Sequence, residues 1–339
     1  MATPNPLKDT HSKPPPSISV KTIHIAGILT DVYGLEELSP SCKTISCLWL
    51  LHPRLQKKET MANVASSCIN DWNQRSSSDS KGLIAVAFDQ RNHGTRCVEE
   101  LANEAWRSGN VKHAQDMWSI ISGTAIDTSL LIDHLAAYIF HGPDGPVIDQ
   151  HFALGISLGG HAAWQVLFNE PRVTAAVVII GCPDYMRMMT DRARLSKLET
   201  YTASGGSSFL GSADFPKALI SSCEKGDPKA MLFGTSEINA SPSGEEQKKL
   251  RELLDSKLTS KRVLVCSGRD DKLVPYHCSE PFLTFLKQAT SGWYKDGGVY
   301  VEDKVYSGVG HAYSEGMAKD TTRFVSDLLA SSLKPASKI

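Results

Sequence analysis

The sequence predicts an α/β fold in which a mostly parallel sheet is flanked by helices and carries an inserted helical cap. Short apolar runs rich in β-branched residues alternate with longer amphipathic stretches, as is typical of parallel strands connected by helices. The clearest predicted strands are residues 44–51, 83–88, 152–155, 173–180, 262–266 and 299–306. The strand pattern stops between residues 184 and 260, where the chain is helical and irregular, and we interpret this stretch as the cap.

Length and composition favour one large core with a smaller insertion. The 339 residues are 41% hydrophobic and 22% charged, which suffices for such a core. We expect a disordered, proline-rich tail at residues 1–17. The core is expected over residues 18–183 and 261–334, the cap over 184–260, and a short C-terminal tail over 335–339.

Charge and cysteine pattern exclude several classes of function. A formal net charge of -1 provides no field that attracts nucleic acid or a membrane surface. No stretch approaches the roughly 20 apolar residues that span a bilayer. The polar N-terminus does not resemble a signal peptide, so we expect an intracellular protein without membrane insertion. The 8 cysteines form no C-x-x-C pair, so we expect no metal and no other cofactor.

Candidate site residues follow the predicted strands, because ligands of open parallel sheets bind beyond the carboxyl ends of the strands. These residues are His52, Asp89, Ser157, Cys182, Asp271 and His311. Ser157 is the centre of a G-x-S-x-G pattern at residues 155–159, between a predicted strand and a predicted helix. This context predicts a nucleophilic serine on a sharp strand-to-helix turn.

A serine nucleophile needs a base to accept its proton and an acid to orient that base. The loop after residues 262–266 offers two adjacent carboxylates, Asp270 and Asp271. His311 follows the last predicted strand, lies among small residues and is the natural base. The order along the chain is then serine, acid, histidine.

The loop at residues 268–275 resembles the G-x-x-D-x-x-V-P acid loop of α/β-hydrolases. The resemblance implies an α/β-hydrolase fold and a catalytic triad in which Asp271 is the acid. Asp270 is the alternative. Some members of the superfamily carry the acid one strand earlier, where this chain has Asp184, so Asp184 is a third candidate.

The oxyanion of the tetrahedral intermediate must be met by backbone N–H groups. Leu158, directly after the nucleophile, is expected to supply one of them. Many relatives place the second donor after a His-Gly pair, where this chain has His52, Pro53 and Arg54. Because proline has no N–H, Arg54 is the matching position.

Residues 88–94 are similar to the D-x-R-G-x-G loop of the same superfamily, in which the role is structural. Asp89 and Arg91 are therefore expected to brace loops through a charge-assisted hydrogen bond. Together with residues 155–161, this stretch resembles a group of fungal α/β-hydrolases that includes the peroxisomal enzymes of toxin pathways such as that of AK-toxin. In combination with the C-terminal residues 337–339, the resemblance implies an acyl ester or acyl-CoA thioester of a secondary metabolite as the substrate.

The chain ends in Ser337, Lys338 and Ile339, which differ from the peroxisomal address Ser-Lys-Leu only in the final aliphatic residue. We therefore expect binding to the peroxisomal import receptor and a location in the peroxisome, with the cytoplasm as the alternative.

The predicted cap is rich in apolar side chains that can line a pocket over the sheet edge, although most are expected to form the core of the cap itself. They are Tyr185, Met186, Met188, Met189, Phe209, Leu210, Phe215, Met231 and Phe233.

The leading hypothesis is acyl transfer to water by Ser157, His311 and Asp271, acting on a small-molecule acyl ester or thioester. One alternative passes the acyl group to an amine or alcohol, and another is a binding protein that uses the fold without catalysis. Peptide hydrolysis ranks lower, because the sequence contains no propeller domain that would restrict access to the site.

Overall fold

The computed structural model describes residues 5–10, 12–75, 78, 80–142 and 145–332 of the chain. The predicted peroxisomal address therefore lies outside the described residues, as does the rest of the predicted C-terminal tail. Among the described residues, no helix is both long enough and apolar enough to cross a membrane.

One sheet forms the centre of the molecule. Its strands are β1 (Val20–Ile25), β2 (Ile28–Tyr33), β3 (Thr44–Leu51), β4 (Lys81–Phe88), β5 (Val147–Ile156), β6 (Val173–Ile179), β7 (Arg262–Gly268) and β8 (Tyr300–Tyr306). They lie in the order β1-β2-β4-β3-β5-β6-β7-β8. The strands from β3 to β8 are parallel, while β1 and β2 form an antiparallel hairpin at one edge. The prediction of a mostly parallel sheet is confirmed.

Helices cover both faces of the sheet. They are α1 (Ala62–Asn73), α2 (His113–Ile139), α3 (Leu158–Asn169), α4 (Tyr185–Ser196), α5 (Glu199–Thr202), α6 (Lys217–Gly226), α7 (Pro228–Phe233), α8 (Gly244–Leu258), α9 (Tyr276–Ser291) and α10 (Glu315–Ser332). The central strand β3 shows how the two cores are separated. Trp49 and Leu51 point into the core formed with α2, α3 and α9, whereas Leu48 and Leu50 point into the core formed with α1 and α10. Side chains of a strand alternate between its faces, so a strand buried on both sides is apolar throughout.

The stretch predicted as a cap, residues 184–260, is fully described and contains helices α4 to α8 without a strand. Its last helix packs against α3. Leu250, Leu254 and Leu258 recur every four residues on α8, are buried, and belong to the core that α8 shares with α3. By this packing α8 lies beside α3, which α6 and α7 also contact.

Part of the N-terminal segment for which disorder is predicted, residues 5–10, contacts the rest of the fold. The carbonyl of Pro6 accepts a hydrogen bond from the N–H of Tyr313 at 2.8 Å, and Thr10 is buried. Leu7 packs against the core formed with α1 and α10. Residues 5–10 thus lie against the fold through a backbone hydrogen bond and one apolar side chain.

Candidate active site

Ser157 lies in a strained turn between β5 and α3. Its backbone has φ 56° and ψ −112°, outside the regions that residues with a side chain ordinarily adopt, and its N–H donates to the carbonyl of Ile179 at 2.9 Å. The flanking glycines make this turn possible. A Cβ atom on Gly155 would lie 1.9 Å from the carbonyl oxygen of Gly159, and one on Gly159 would lie 2.0 Å from that of Leu51. The G-x-S-x-G pattern is thus a steric requirement of the turn.

The three predicted catalytic side chains meet in one hydrogen-bond chain. The Ser157 hydroxyl lies 2.8 Å from Nε2 of His311, and Nδ1 of His311 lies 2.8 Å from Oδ2 of Asp271. The other carboxylate oxygen, Oδ1, accepts the N–H groups of Leu273 at 2.8 Å and Val274 at 2.9 Å. Because an ionised carboxylate only accepts, Nδ1 of His311 carries a proton and Nε2 is left as an acceptor for the serine hydroxyl.

The acid loop after β7 is joined to the histidine loop after β8 through the backbone. The N–H of Asp270 donates to the carbonyl of Val309 at 2.9 Å, and the N–H of Arg269 donates to that of Tyr306 at 2.9 Å. A Cβ on Gly268 would lie 2.4 Å from the carbonyl oxygen of Val309, so only glycine fits this junction. The close contact of the two loops holds the carboxylate of the acid loop against His311.

The other two candidate acids lie elsewhere. The Asp270 side chain is exposed, and its residue contributes a backbone hydrogen bond only. Asp184 accepts the N–H of Arg187 at 3.0 Å and so caps the first turn of α4. Neither contacts His311, and the geometry therefore favours Asp271.

The two predicted oxyanion donors line the same cavity as Ser157. Leu158 is the first residue of α3, and the first N–H groups of a helix have no acceptor within it. The Arg54 side chain lies 3.8 Å from the carboxylate of Glu104 and donates to the carbonyl of Asn103. The role of the Arg54 N–H as the second donor stays a prediction.

His52, which begins the His-Pro-Arg loop, has a structural role. Its Nε2 accepts the N–H of Gln90 at 3.0 Å, so Nδ1 carries the proton and donates to the carbonyl of Pro53 at 2.8 Å. The residue is fully buried, and burial lowers its pKa to about 4. A neutral imidazole thus connects the loops after β3 and β4.

The D-x-R loop braces its surroundings through two separate interactions. Asp89 accepts the N–H and hydroxyl of Thr95 at 2.9 and 2.8 Å and the N–H of Lys58 at 2.9 Å. Arg91 forms a two-pronged ion pair with Asp127 of α2, at 3.1 and 2.9 Å. Both residues hold loops in place, each with its own partners rather than with one another.

Ser157 lies in the wall of a cavity of about 310 Å³. The wall is formed by the triad loops, the loop after β3, the segment between β4 and α2, and helices α2, α3 and α4. Of the nine apolar side chains that the sequence analysis assigns to the cap, Tyr185 and Met188 line the cavity. Met189, Phe209 and Phe215 are instead completely buried in the core, in agreement with the expectation for most of the cap.

His161 also lines the cavity and was not recognised in the sequence. It lies four residues after Ser157, one turn along α3, and this spacing was the available signal. Its Nδ1 accepts the N–H of Cys182 at 2.9 Å, so the proton resides on Nε2. Burial lowers the pKa of His161 to about 3, and the ring stays neutral. Burial also raises the pKa of the Cys182 thiol well above its ordinary value, which makes Cys182 unreactive.

One cluster among the described residues has side chains of the kinds that bind metals. The ligand atoms of Asp191, His277 and Cys278 lie within 4.8 Å of one another. Asp191 already pairs with Arg194 at 2.6 Å, and burial raises the pKa of Cys278 to about 12. Because the thiolate is the form that binds metals, this environment disfavours a metal site.

No known protein family matches the sequence, and no curated protein does. Solved structures resemble the fold. TT1662 from Thermus thermophilus matches with a TM-score of 0.52 at 14% identity, over 92% of this chain and 98% of that protein. The acylaminoacyl peptidase of Pyrococcus horikoshii matches with a TM-score of 0.50 at 13% identity, over 96% of this chain and 43% of that protein. With the parallel sheet and the turn at Ser157, these similarities show that the chain has the α/β-hydrolase fold.

Proposed function

We propose that this protein is a serine hydrolase that cleaves a carboxylic ester or an acyl thioester through a covalent acyl-enzyme. The observation that carries the proposal is the hydrogen-bond chain from Asp271 through His311 to Ser157 in the wall of a cavity. The strained backbone of Ser157 supports it, because such strain costs about 1–3 kcal/mol and persists mainly where function requires the conformation.

In the acylation step, Nε2 of His311 takes the hydroxyl proton of Ser157 as Oγ bonds to the substrate carbonyl carbon. The carbonyl oxygen becomes an oxyanion, to which the N–H of Leu158 would donate. When the tetrahedral intermediate collapses, the bond to the alkoxide or thiolate breaks, and the leaving group takes the proton from Nε2. Asp271 holds the ring in the correct tautomer and stabilises the imidazolium that forms.

Deacylation repeats these steps with water as the nucleophile. Nε2 of His311 takes a proton from water as the water oxygen attacks the acyl carbon. Collapse of the second intermediate breaks the bond to Oγ, returns the proton to Ser157 and releases the carboxylic acid. Every proton and electron pair is accounted for by the substrate, water and the side chains.

Labelling with a fluorescent fluorophosphonate tests the proposal. We expect the wild-type protein to be labelled, and we expect no labelling of Ser157→Ala or His311→Ala, because one lacks the nucleophile and the other lacks the base. Ser267→Ala is the matched control, since Ser267 is a buried serine near the acid loop with no place in the mechanism. A folded wild-type protein that remains unlabelled would overturn the proposal.

The acyl-enzyme can also transfer its acyl group to an alcohol or an amine in place of water. Incubation of the protein with p-nitrophenyl esters and acyl thioesters, with and without added alcohols and amines, separates the two reactions. We expect the free carboxylic acid as the main product by mass spectrometry. A product acylated on the added acceptor would instead indicate an acyltransferase.

A further inference from the structure

Arg192 on α4 places a guanidinium in the wall of the cavity that contains Ser157. Its hydrogen bonds go to neutral acceptors. One nitrogen donates to Nε2 of His113 at 3.1 Å, and another donates to the carbonyl of Leu273 at 3.0 Å. The sulfur atoms of Met188 and Met189 lie 3.9 Å from the same group. Within the part of the chain that the structure describes, no carboxylate forms an ion pair with Arg192.

The carboxylates nearest to this cavity are engaged by other groups. Glu104 pairs with Arg54 at 3.8 Å. Asp191, adjacent in sequence to Arg192, pairs with Arg194 at 2.6 Å. Asp271 directs one oxygen to His311 and the other to two backbone N–H groups. The charge of Arg192 is therefore left without a direct counter-ion.

The hydrogen-bond partners of Arg192 carry no negative charge. His113 donates from Nδ1 to the carbonyl of Glu104 at 2.8 Å, and burial together with Arg192 keeps its pKa well below the ordinary value, so its ring is neutral. Arg54 lines the same cavity, where burial and repulsion from Arg192 lower its pKa to about 10. Two guanidinium groups thus line one partly desolvated cavity. Glu104 offsets the charge of Arg54, whereas Arg192 has no ion-pair partner among the described residues, so an anion that enters beside Arg192 is stabilised.

We propose that Arg192 binds a carboxylate of the substrate, so that the preferred substrate is an ester or thioester that carries a second, ionised carboxyl group. The planar guanidinium matches a carboxylate with two parallel hydrogen bonds. One guanidinium without a counter-ion fits a single negative charge. A cavity of about 310 Å³ lies at the small end of the range for small-molecule sites, about 300–1,000 Å³. This inference rests on the proposed hydrolase function.

Arg192 also donates a hydrogen bond to the carbonyl of Leu273, which lies in the loop that carries Asp271. This contact offers a second role, in which Arg192 positions that loop. If Arg192 served only to position that loop, its loss would slow the reaction of every substrate by the same factor. If it binds a carboxylate, its loss would slow the charged substrate selectively. The ratio of two matched substrates separates these roles.

The test compares the mono-4-nitrophenyl ester of adipic acid with its methyl ester, which has the same chain without the charge. We expect the wild-type protein to prefer the acid. In Arg192→Gln, we expect kcat/KM for the acid to fall about 30-fold or more relative to the methyl ester, as for loss of one partner of a buried ion pair.

Arg192→Lys keeps the charge and should restore part of the preference. Arg251→Gln on α8 is the matched control and should leave the ratio unchanged, because Arg251 pairs with Asp296 at 2.8 Å and does not line the cavity. Equal ratios in the wild-type protein and Arg192→Gln would overturn the inference.

Binding to the Ser157→Ala variant gives an answer that does not depend on turnover. Calorimetry with monomethyl adipate and dimethyl adipate should show tighter binding of the monoester, and the added change Arg192→Gln should remove the difference. If no ester is hydrolysed while this binding preference is present, the hydrolase proposal fails and the carboxylate site stands. If both esters are hydrolysed but binding shows no preference, the carboxylate site fails and the hydrolase proposal stands.

Discussion

Two loops at the carboxyl edge of the sheet each carry a buried aspartate, and they use it differently. Asp184 follows β6 and Asp271 follows β7, the neighbouring strand in the sheet. Asp271 accepts from two backbone N–H groups and from His311. Asp184 accepts the N–H of Arg187 and begins helix α4. The same residue type at the same sheet edge thus orients a base in one loop and caps a helix in the other.

The difference arises from the neighbour of each loop. The loop of Asp271 is joined by backbone hydrogen bonds to the loop that carries His311. The loop of Asp184 faces α7, where Asp227 accepts the N–H groups of Tyr185 and Ala230 at 2.8 and 2.9 Å. A buried carboxylate therefore takes its role from the side chain that the adjoining loop brings to it, and strand position alone does not assign that role.

Replacing each aspartate by asparagine is the strongest test of this comparison. We expect Asp271→Asn to lower kcat by about 10⁴-fold, because the amide can donate to Nδ1 of His311 and favour the wrong tautomer. Asp184→Asn should keep kcat within a few fold, since asparagine caps helices as well as aspartate. The measurement is steady-state hydrolysis of an activated ester, together with the rate of fluorophosphonate labelling. Similar losses in both variants would show that the two loops do not differ as described.

The junction between the acid and histidine loops can be disturbed without changing a catalytic side chain. Gly268→Ala would place a methyl group 2.4 Å from the carbonyl oxygen of Val309, so the two loops must separate. We expect the free energy of unfolding in urea to fall by about 1–3 kcal/mol, with a parallel loss of kcat. Gly142→Ala is the control, because a Cβ there meets no atom within 4 Å. A fully active and stable Gly268→Ala protein would mean that this junction does not hold the triad.

The central sheet could be predicted from the sequence to the extent that its strands are buried. β3 is Thr44–Leu51, as predicted, because it is covered on both faces and is apolar throughout. The predicted strand at residues 152–155 covers only the buried end of β5, whose first four residues are partly or fully exposed and include the polar Asp149 and Gln150. The β1–β2 hairpin has no counterpart among the predicted strands. Most of β1 is exposed, and the mostly buried β2 is interrupted by two polar residues, Thr30 and Asp31, of which Asp31 pairs with Lys58 at 2.8 Å.

Some residues of the candidate site could likewise be predicted from the sequence, and others could not. Ser157, Asp271 and His311 could be predicted to lie together because each lies shortly beyond the carboxyl end of a strand, β5, β7 or β8, and the strand order brings their loops together. Arg192 could not, because its place in the cavity depends on how α4 lies over the sheet edge. That orientation is set by tertiary packing of the cap, which a pattern along one helix does not encode.

The loops that carry Asp184 and Asp271 also differ in how the free energy of unfolding depends on pH, and this is the smallest and most specific of the expected effects. Burial raises the pKa of Asp184, and burial together with repulsion from Asp184 raises the pKa of Asp227 well above its ordinary value. Lys229 and Arg187 act in the opposite direction without cancelling the shift of Asp184. The folded state therefore binds more protons than the unfolded state above about pH 4, the ordinary range of an aspartate. The contribution of this pair to stability is complete below that pH and is lost as the pH rises through the raised pKa values.

We expect Asp227→Asn to flatten this dependence. Between pH 4 and 8, the free energy of unfolding of the wild-type protein should fall more steeply than that of the variant, by at most about 1.4 kcal/mol per pH unit for each proton. Urea titrations across this range measure both slopes, with Glu252→Gln on the exposed side of α8 as the control. The slope is the diagnostic quantity, because asparagine also replaces an acceptor by a donor and shifts the absolute stability. Parallel curves for the wild-type protein and Asp227→Asn would mean that Asp184 and Asp227 both stay ionised in the folded state. The position of His311 would then be the sole distinction between the loop of Asp184 and the loop of Asp271.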